Sequence, residues 1–509
     1  MGFTKITGAD TDKGAEKVVV DGPLSTFGDI RVVSVKPVAQ GDFVYDLNSR
    51  VFTTSSFAGG TITHVSGAAE LDSGTDPAGS ATVQLRRHLK YRPGQGSSMM
   101  ATAVFGTPDA GSAQFVGAGT AECGYFIGYF GTSFGILHSE KGAREVRRYT
   151  VTTGAATEAV TVTLDGSSIV VPVTGNNDTS RTAYQLSIAD YSQLGRGGWL
   201  ADAIGSDVYF ISARSNSIYT GSYSVAGGVV NGTFSRLVGG EAQTNTFISQ
   251  SSFNVDKLDG NGHTGMVLDP TKGNVFEIQF QYLGFGNADF SIEDPESGKI
   301  TEFHRIKNTN NRTTPVLKNP SVSVLATSAN IGGTTSTKLK TASMAAFVEG
   351  NVVDLDPKYS KSFSYSGINT STYKPLGVVK VNRIFNNQSC FGELDVLRIA
   401  ASNLVNNQSV TVGLFIDARI AGDVDYQYIE QGQSMVSYAN LNPGAGGNTI
   451  TNLANLNPIY ELVVSSDSSI IENVQDLRIA IGVGRPLVIA IKTSASVSGD
   501  VSLSWFEQQ

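Results

Sequence analysis

Apolar residues recur at every second position through most of this 509-residue chain, and few stretches show helical spacing. Val275-Phe276-Glu277-Ile278-Gln279-Phe280-Gln281-Tyr282-Leu283 alternates over its whole length, the mark of a strand with one covered face. Ala288 to Glu293 returns beside it after Gly284 to Asn287, and Ile300 to Ile306 continues the meander. Gly124 to Gly131 is an aromatic strand with glycines where another backbone comes close, and Ser133 to Leu137 is its hairpin mate. Glu145 to Val151, Val322 to Ala326 and Ser343 to Glu349 read as further strands.

The texture changes near Thr150. Val160, Val162 and Leu164 alternate with threonines, Asp165-Gly166 makes a hairpin turn, and Ile169 to Val173 returns. Asp178, Thr179 and Ser180 cap a helix on which Tyr184, Ile188, Tyr191 and Leu194 share a face, and Gly197-Gly198 ends it. Trp199 to Ile204 and Val208 to Ile211 form a second hairpin. The pattern predicts an N-terminal arm over residues 1–40 and a β-sandwich made of 41–149 and 241–352. A small α+β domain, 150–240, interrupts it. A Tyr/Ser-rich linker, 353–375, then leads to a C-terminal β-sandwich, 376–509. The fold class is mainly β: antiparallel jelly-roll sandwiches with a small α+β insertion. In the last unit, Asn386 to Phe391 and Asn442 to Asn457 read as long polar end loops.

Composition sharpens this reading. Only 16% of residues are charged, against about a quarter in ordinary soluble proteins, and 57 glycines take up much of the difference. Such chains build sheet with polar, uncharged faces and many tight turns. The net charge of -8 argues against nucleic acid as a partner. The two basic clusters, Arg86/Arg87/His88/Lys90/Arg92 and Lys141/Arg144/Arg147/Arg148, read as charged outer faces of strands. No apolar run is long enough to span a bilayer, and Met1 to Ala9 lacks the pattern of a signal peptide. Cys123 and Cys390 show no metal or redox spacing, and whether they pair is left open.

Catalytic and metal signatures are weak. The histidines His64, His88, His138, His263 and His304 form no metal-binding pair. No nucleophile elbow is present. Asn254 to Gly262, with Asp256 and Asp259, clusters oxygen ligands around glycine as a calcium loop does; its spacing departs from the EF-hand pattern and no glutamate closes it, so an ordinary Asn/Asp/Gly turn is the favoured reading over calcium. Glu277, Asp289, Glu293 and Asp294 are the carboxylates from which glycan cleavage would be built, with Glu277 and Asp289 expected on a solvent face. Tyr125, Tyr129, Tyr426, Tyr428, Tyr438 and Trp505 are candidate ring platforms for a carbohydrate, or else core. No residue is assigned as catalytic, cofactor-binding or metal-ligating.

Several stretches carry a resemblance. They are Phe27-Gly28-Asp29-Ile30-Arg31-Val32, Tyr91-Arg92-Pro93-Gly94-Gln95-Gly96, Tyr125 to Leu137, Phe253 to Gly260, Leu268 to Phe276 and Tyr282-Leu283-Gly284-Phe285-Gly286. Over about residues 25–350 the chain resembles tail- or fibre-like virion structural proteins of tailed phages, cyanobacterial and marine ones especially, with relatives in large eukaryotic DNA viruses. The sandwich resembles a concanavalin- or laminin-G-like jelly roll, and the insertion resembles modules of tail and fibre proteins. The resemblance implies a tail, baseplate or fibre component active in particle assembly and host attachment, located in the virion and made in the host cytoplasm. Expected partners are other virion proteins, further copies of the chain as a homotrimer, and a host surface glycan met by loops such as Asn442 to Asn457. Neither membrane insertion nor a cofactor is expected. A capsid surface or head-fibre protein and a glycan-degrading depolymerase are the alternatives.

Overall fold

The computed structural model describes residues 9–10, 15–16, 35–215, 219–350, 356–405, 407–422 and 424–508. Alternation does what it predicts: the fold is mainly β, and its strands pair antiparallel into facing sheets with a small α+β insertion. Seven strands form one sheet of the N-terminal sandwich, in the order Thr244–Ser249, Ser133–Glu140, Gly124–Phe130, Ser112–Gly119, Ser323–Asn330, Ser80–Leu85, Phe52–Phe57. The opposing sheet runs from Ile300–Ile306 through Ala288–Glu293, Asn274–Phe280, Ser97–Phe105 and Lys338–Thr341 to Ala68–Asp72 and Thr61–Val65. Strands from both sides of the insertion therefore share both sheets.

Period-two patterning sets the faces. Phe276, Ile278 and Phe280 point into the core, where they meet Ile127, Ile136, Val116 and Val324 from the other sheet. Burying an aromatic or branched side chain of this kind is worth about 1.5–3 kcal/mol, so the several dozen residues of this core bind the two layers firmly. Gly117 and Gly119 have a local reason: a Cβ at Gly119 would stand 2.3 Å from the Phe126 ring, which lies across them.

The inserted unit begins earlier than the pattern predicts. Arg144–Thr153 pairs with Asp207–Ser215 and Asn231–Val238, not with the sandwich. The boundary lies at the antiparallel Ala143–Glu241 bridge, the neck through which both connections pass. Hydrophobic content could not distinguish the two units, because Val146, Tyr149 and Val151 are buried in either case. The hairpin Glu158–Leu164/Ser167–Val173 turns at Asp165 and Gly166, both at positive φ. The helix covers Thr179–Ser187, and Asp178 Oδ1 accepts from Arg181 N at 2.8 Å. It is shorter than its spacing predicts: Ile188 closes it and is exposed, while Tyr191 and Leu194 are buried beyond its end.

Two further expectations change. Of the arm, the Phe27 to Val33 strand lies outside the described residues, but Val35–Asp42 pairs with Ser343–Glu349 and belongs to the sandwich. Pro37 is tolerated there because it sits at a register shift opposite Phe347. Within the linker, Lys358–Ile368 is a strand paired with Val497–Gln508, placing Tyr359 opposite Trp505 and Phe363 opposite Val501. Its serines read as turn material, yet they occupy the outer positions of a strict alternation whose Phe363 and Tyr365 are buried. This strand completes a five-stranded sheet facing a six-stranded one around Trp505, Leu503, Val379 and Ile489.

Candidate functional site

The chemistry that sequence alone scattered along the chain gathers at the junctions between the three units. The basic stretch 86–92 is not an outer face. Arg87 reaches across to the C-terminal sandwich, with Nε 3.3 Å from Glu393 Oε1 and a terminal nitrogen 3.2 Å from Asp395 Oδ1. Lys90, buried, donates to the carbonyls of Phe391 and Gln508 at 3.3 and 3.4 Å, with Glu393 at 4.0 Å. Arg92 pairs with Asp356 at 2.8 Å. Burial pushes the Lys90 ammonium below its ordinary range, against the pull of Glu393. The end of the Asn386 to Phe391 loop therefore lies in this junction, where the His88 and Phe391 rings are 6.1 Å apart, while Asn386 to Gln388 are exposed.

A second junction joins the insertion to the C-terminal sandwich. Lys380 and Asp202, both buried, form an ion pair; Lys380 Nζ also donates to Ala203 O at 3.0 Å and stands 3.8 Å from the Tyr426 ring centre. The other Asp202 oxygen accepts from Arg383 N at 2.8 Å. Gly205 N donates to Tyr426 O at 2.7 Å, and Tyr184 of the helix donates to Ile420 O at 3.2 Å. In the second basic cluster, burial pushes Arg144 down to about 10, and its Nε donates to Ser212 O at 2.6 Å. Buried Glu145 accepts from Arg147, Arg236 and Gly240, tying the neck together.

The sequence-predicted carboxylates do not converge on a cleft. Glu277 shares the outward register with Gln279 but is buried rather than solvent-facing, and it accepts from Gln279 at 2.9 Å. Asp289 is gripped by Arg305 at 2.6 Å, Glu293 is exposed, and Asp294 accepts from Ser297 in a turn. Among the candidate rings, Tyr125, Tyr426 and Trp505 are buried. Tyr125 stacks on His138, with centroids 4.6 Å apart, and Trp505 donates to Glu507. Tyr438 is half-buried beneath Lys361, whose Nζ is 3.8 Å from the ring centre. Tyr129 and Tyr428 are also half-buried. Both cysteines are buried and free.

In the 254–262 loop, Asp256 already has its partners. It accepts from Leu258 N, Thr264 N and Thr264 Oγ1 at 2.9, 3.0 and 2.7 Å, with His263 Nδ1 at 3.3 Å. Among the described residues no group of three or more His, Cys, Asp or Glu is placed to hold a metal. Calcium and EDTA are therefore expected to give the same melting temperature; a rise of several degrees with calcium would show that the loop opens to a cation.

The Asn442 to Asn457 loop is anchored in its middle, where Asn448 and Ile450 are buried. Asn448 N donates to Asn442 O at 2.7 Å, Thr449–Ile450 pairs with Ile420–Ala421, and Ile450 packs in the cluster that contains Tyr184. Its tip around Ala445 and Gly446 is exposed, and so are Asn442, Thr451, Ala454, Asn455 and Asn457.

No protein-family model matches the chain, and no curated protein does. Solved structures align remotely. An endo-acting O-glycanase from work on mucin breakdown by the human gut microbiota has a TM-score of 0.26 at 8% identity, covering 61% of this chain and 98% of that one. Lectin II from Ulex europaeus has a TM-score of 0.22 at 7% identity, covering 62% and 99%. A triple jelly-roll protein of an archaeal virus turret covers 93% and 96% at a TM-score of 0.15 and 10% identity. Nothing about ligand or activity follows from likenesses this remote. No helix among the described residues is long and apolar enough to cross a membrane.

Proposed function

We propose that the chain is a rigid structural component of a virion, in its tail, baseplate or fibre, that serves particle assembly and host attachment. The observation that supports this reading is the locking of three β-rich units by charge-assisted junctions, buried at Lys380 and Lys90 and half-buried at Arg87 and Arg92. Lys380–Asp202 holds the insertion to the C-terminal sandwich, and Arg87, Lys90 and Arg92 hold the two sandwiches together. Charge-assisted bonds out of water fix geometry more sharply than surface pairs do. A building block that transmits force needs such fixed relations, whereas an enzyme that closes on substrate needs a hinge. Association with sister copies would protect sheet edges left open in the single chain.

Particles labelled with an antibody to the chain, viewed by electron microscopy, test the reading. Label at a fixed, symmetry-related position on purified virions is the expected result. Its absence from every purified particle would overturn the proposal, and label on the capsid shell would transfer the chain to the head.

A further inference from the structure

An open surface cleft of about 480 Å³ lies on the N-terminal sandwich, lined by Thr61, Asp72, Thr75, Asp76 and Ser336 together with Ala58, Gly59 and Gly74. Its walls are built rather than loose. Asp72 Oδ1 accepts from Gly74 N at 2.8 Å and from the Ser336 hydroxyl, joining loops 264 residues apart. Asp76 Oδ1 accepts from Ala78 N at 2.8 Å. Asn330, only 5% exposed, donates to the carbonyls of Gly74 and Asp76 at 2.9 and 2.8 Å. Gly74 has a φ of 68°, and a Cβ there would stand 2.5 Å from Gly59 O, so the two loops meet backbone to backbone. The inserted unit braces the same rim: Gln193 donates to Ser56 O at 3.2 Å, Arg214 donates to Ser80, and the Arg214 guanidinium lies 5.1 Å from the Phe57 ring centre.

The lining chemistry narrows the occupant. Its polar side chains are two carboxylates and three hydroxyls; Ala58, the threonine methyls and the glycines give it apolar surface in nearly equal measure. A ligand that satisfies such walls presents several closely spaced hydroxyl donors together with C–H surface. Two aspartates disfavour phosphate, sulfate and carboxylate groups, because like charges brought together cost several kcal/mol. The bonds that hold Asp72 and Asp76 use one oxygen of each; Lys338 stands 3.7 Å from the second oxygen of Asp72.

We propose that this cleft recognises an uncharged saccharide, with Asp72 and Asp76 accepting hydrogen bonds from neighbouring ring hydroxyls and Ser336, Thr61 and Thr75 completing the contacts. The inference rests on the attachment reading only for the expectation that the ligand is displayed on a cell surface. The test uses the purified chain and stands apart from particle labelling. The full chain is applied, in EDTA, to a glycan array carrying neutral, sialylated and sulfated glycans. Calorimetry with the methyl glycosides of glucose, galactose, mannose and N-acetylglucosamine follows. Retention by neutral glycans is expected, with binding weakened roughly ten-fold by Asp76→Asn and by Ser336→Ala and abolished by Thr61→Trp, which fills the cleft. Asp76→Asn and Thr61→Trp should melt with the parent, since both residues are exposed and Asn keeps the acceptor for Ala78, whereas Ser336→Ala gives up one exposed bond to Asp72 and should melt slightly below it. Retention of no neutral glycan, retention undiminished by Thr61→Trp, or retention that appears only when calcium replaces EDTA would each overturn the assignment.

Discussion

Asp202→Ala is expected to cost about 3–5 kcal/mol at the junction between the insertion and the C-terminal sandwich, as removal of one partner from a buried ion pair generally does. The reason is what remains. Lys380 stays buried with its ammonium against the Tyr426 ring and only the Ala203 carbonyl to receive it, and Arg383 N loses its acceptor. Burial already pulls Lys380 below the ordinary lysine range, and Asp202 is what opposes that pull. Without the carboxylate the cheaper state is a neutral amine or an open junction. Asp202→Leu combined with Lys380→Met should cost less than Asp202→Ala alone, because it removes both desolvation penalties together. Hydrogen exchange at Trp199–Ile204 and across residues 424–428 reads the junction directly, and denaturant titration reads the total. Exchange in Asp202→Ala as slow as in the parent would mean that apolar packing by Tyr184, Ile420 and Ile450 carries this contact by itself.

Local signals were legible and long-range ones were not. The Asp165-Gly166 hairpin and the Gly124–Phe130/Ser133–Glu140 hairpin are set by turn residues and alternation within some fifteen positions, and both form where the pattern places them. The Lys358–Ile368 strand was hidden because its outward serines are the same residues that mark turns. The insertion boundary was hidden because Arg144–Thr153 suits either sheet, and only its partners decide. The chemistry was harder still. Arg87 acts through Glu393 and Asp395, and Lys380 through Asp202, at separations of 306, 308 and 178 residues. A charge beside an apolar run reads equally as an exposed face or as a junction. The strongest available hint was the density of basic residues between Arg86 and Arg92 in a chain that is otherwise poor in charge.

Acid is expected to destabilise the protein well before its carboxylates titrate. Burial, with Lys90 adding to it, pushes His88 down to about 3; burial alone pushes His304 down to about 4. In the unfolded chain both sit near 6.5. A histidine whose folded value lies below its unfolded one is neutral in the fold and binds a proton on unfolding. Its contribution is therefore intact above pH 6.5 and is lost as the pH falls from there toward the folded value. Each contributes about 2 kcal/mol of loss between pH 7 and pH 5. The two act in different places. His304 lies in the N-terminal sandwich, accepting from Asn254 N at 3.2 Å beside Phe253 and Phe290, whereas His88 lies in the junction against Phe391. Acid should thus loosen the contact between the sandwiches together with the sandwich itself. Melting temperatures measured from pH 7.5 to pH 5 should fall steeply in the parent and more gently in His88→Asn and His304→Asn, with the double variant flattest. A double variant as acid-sensitive as the parent would place the protons elsewhere, His138 beside Glu140 and Arg312 being the next group whose burial holds it neutral.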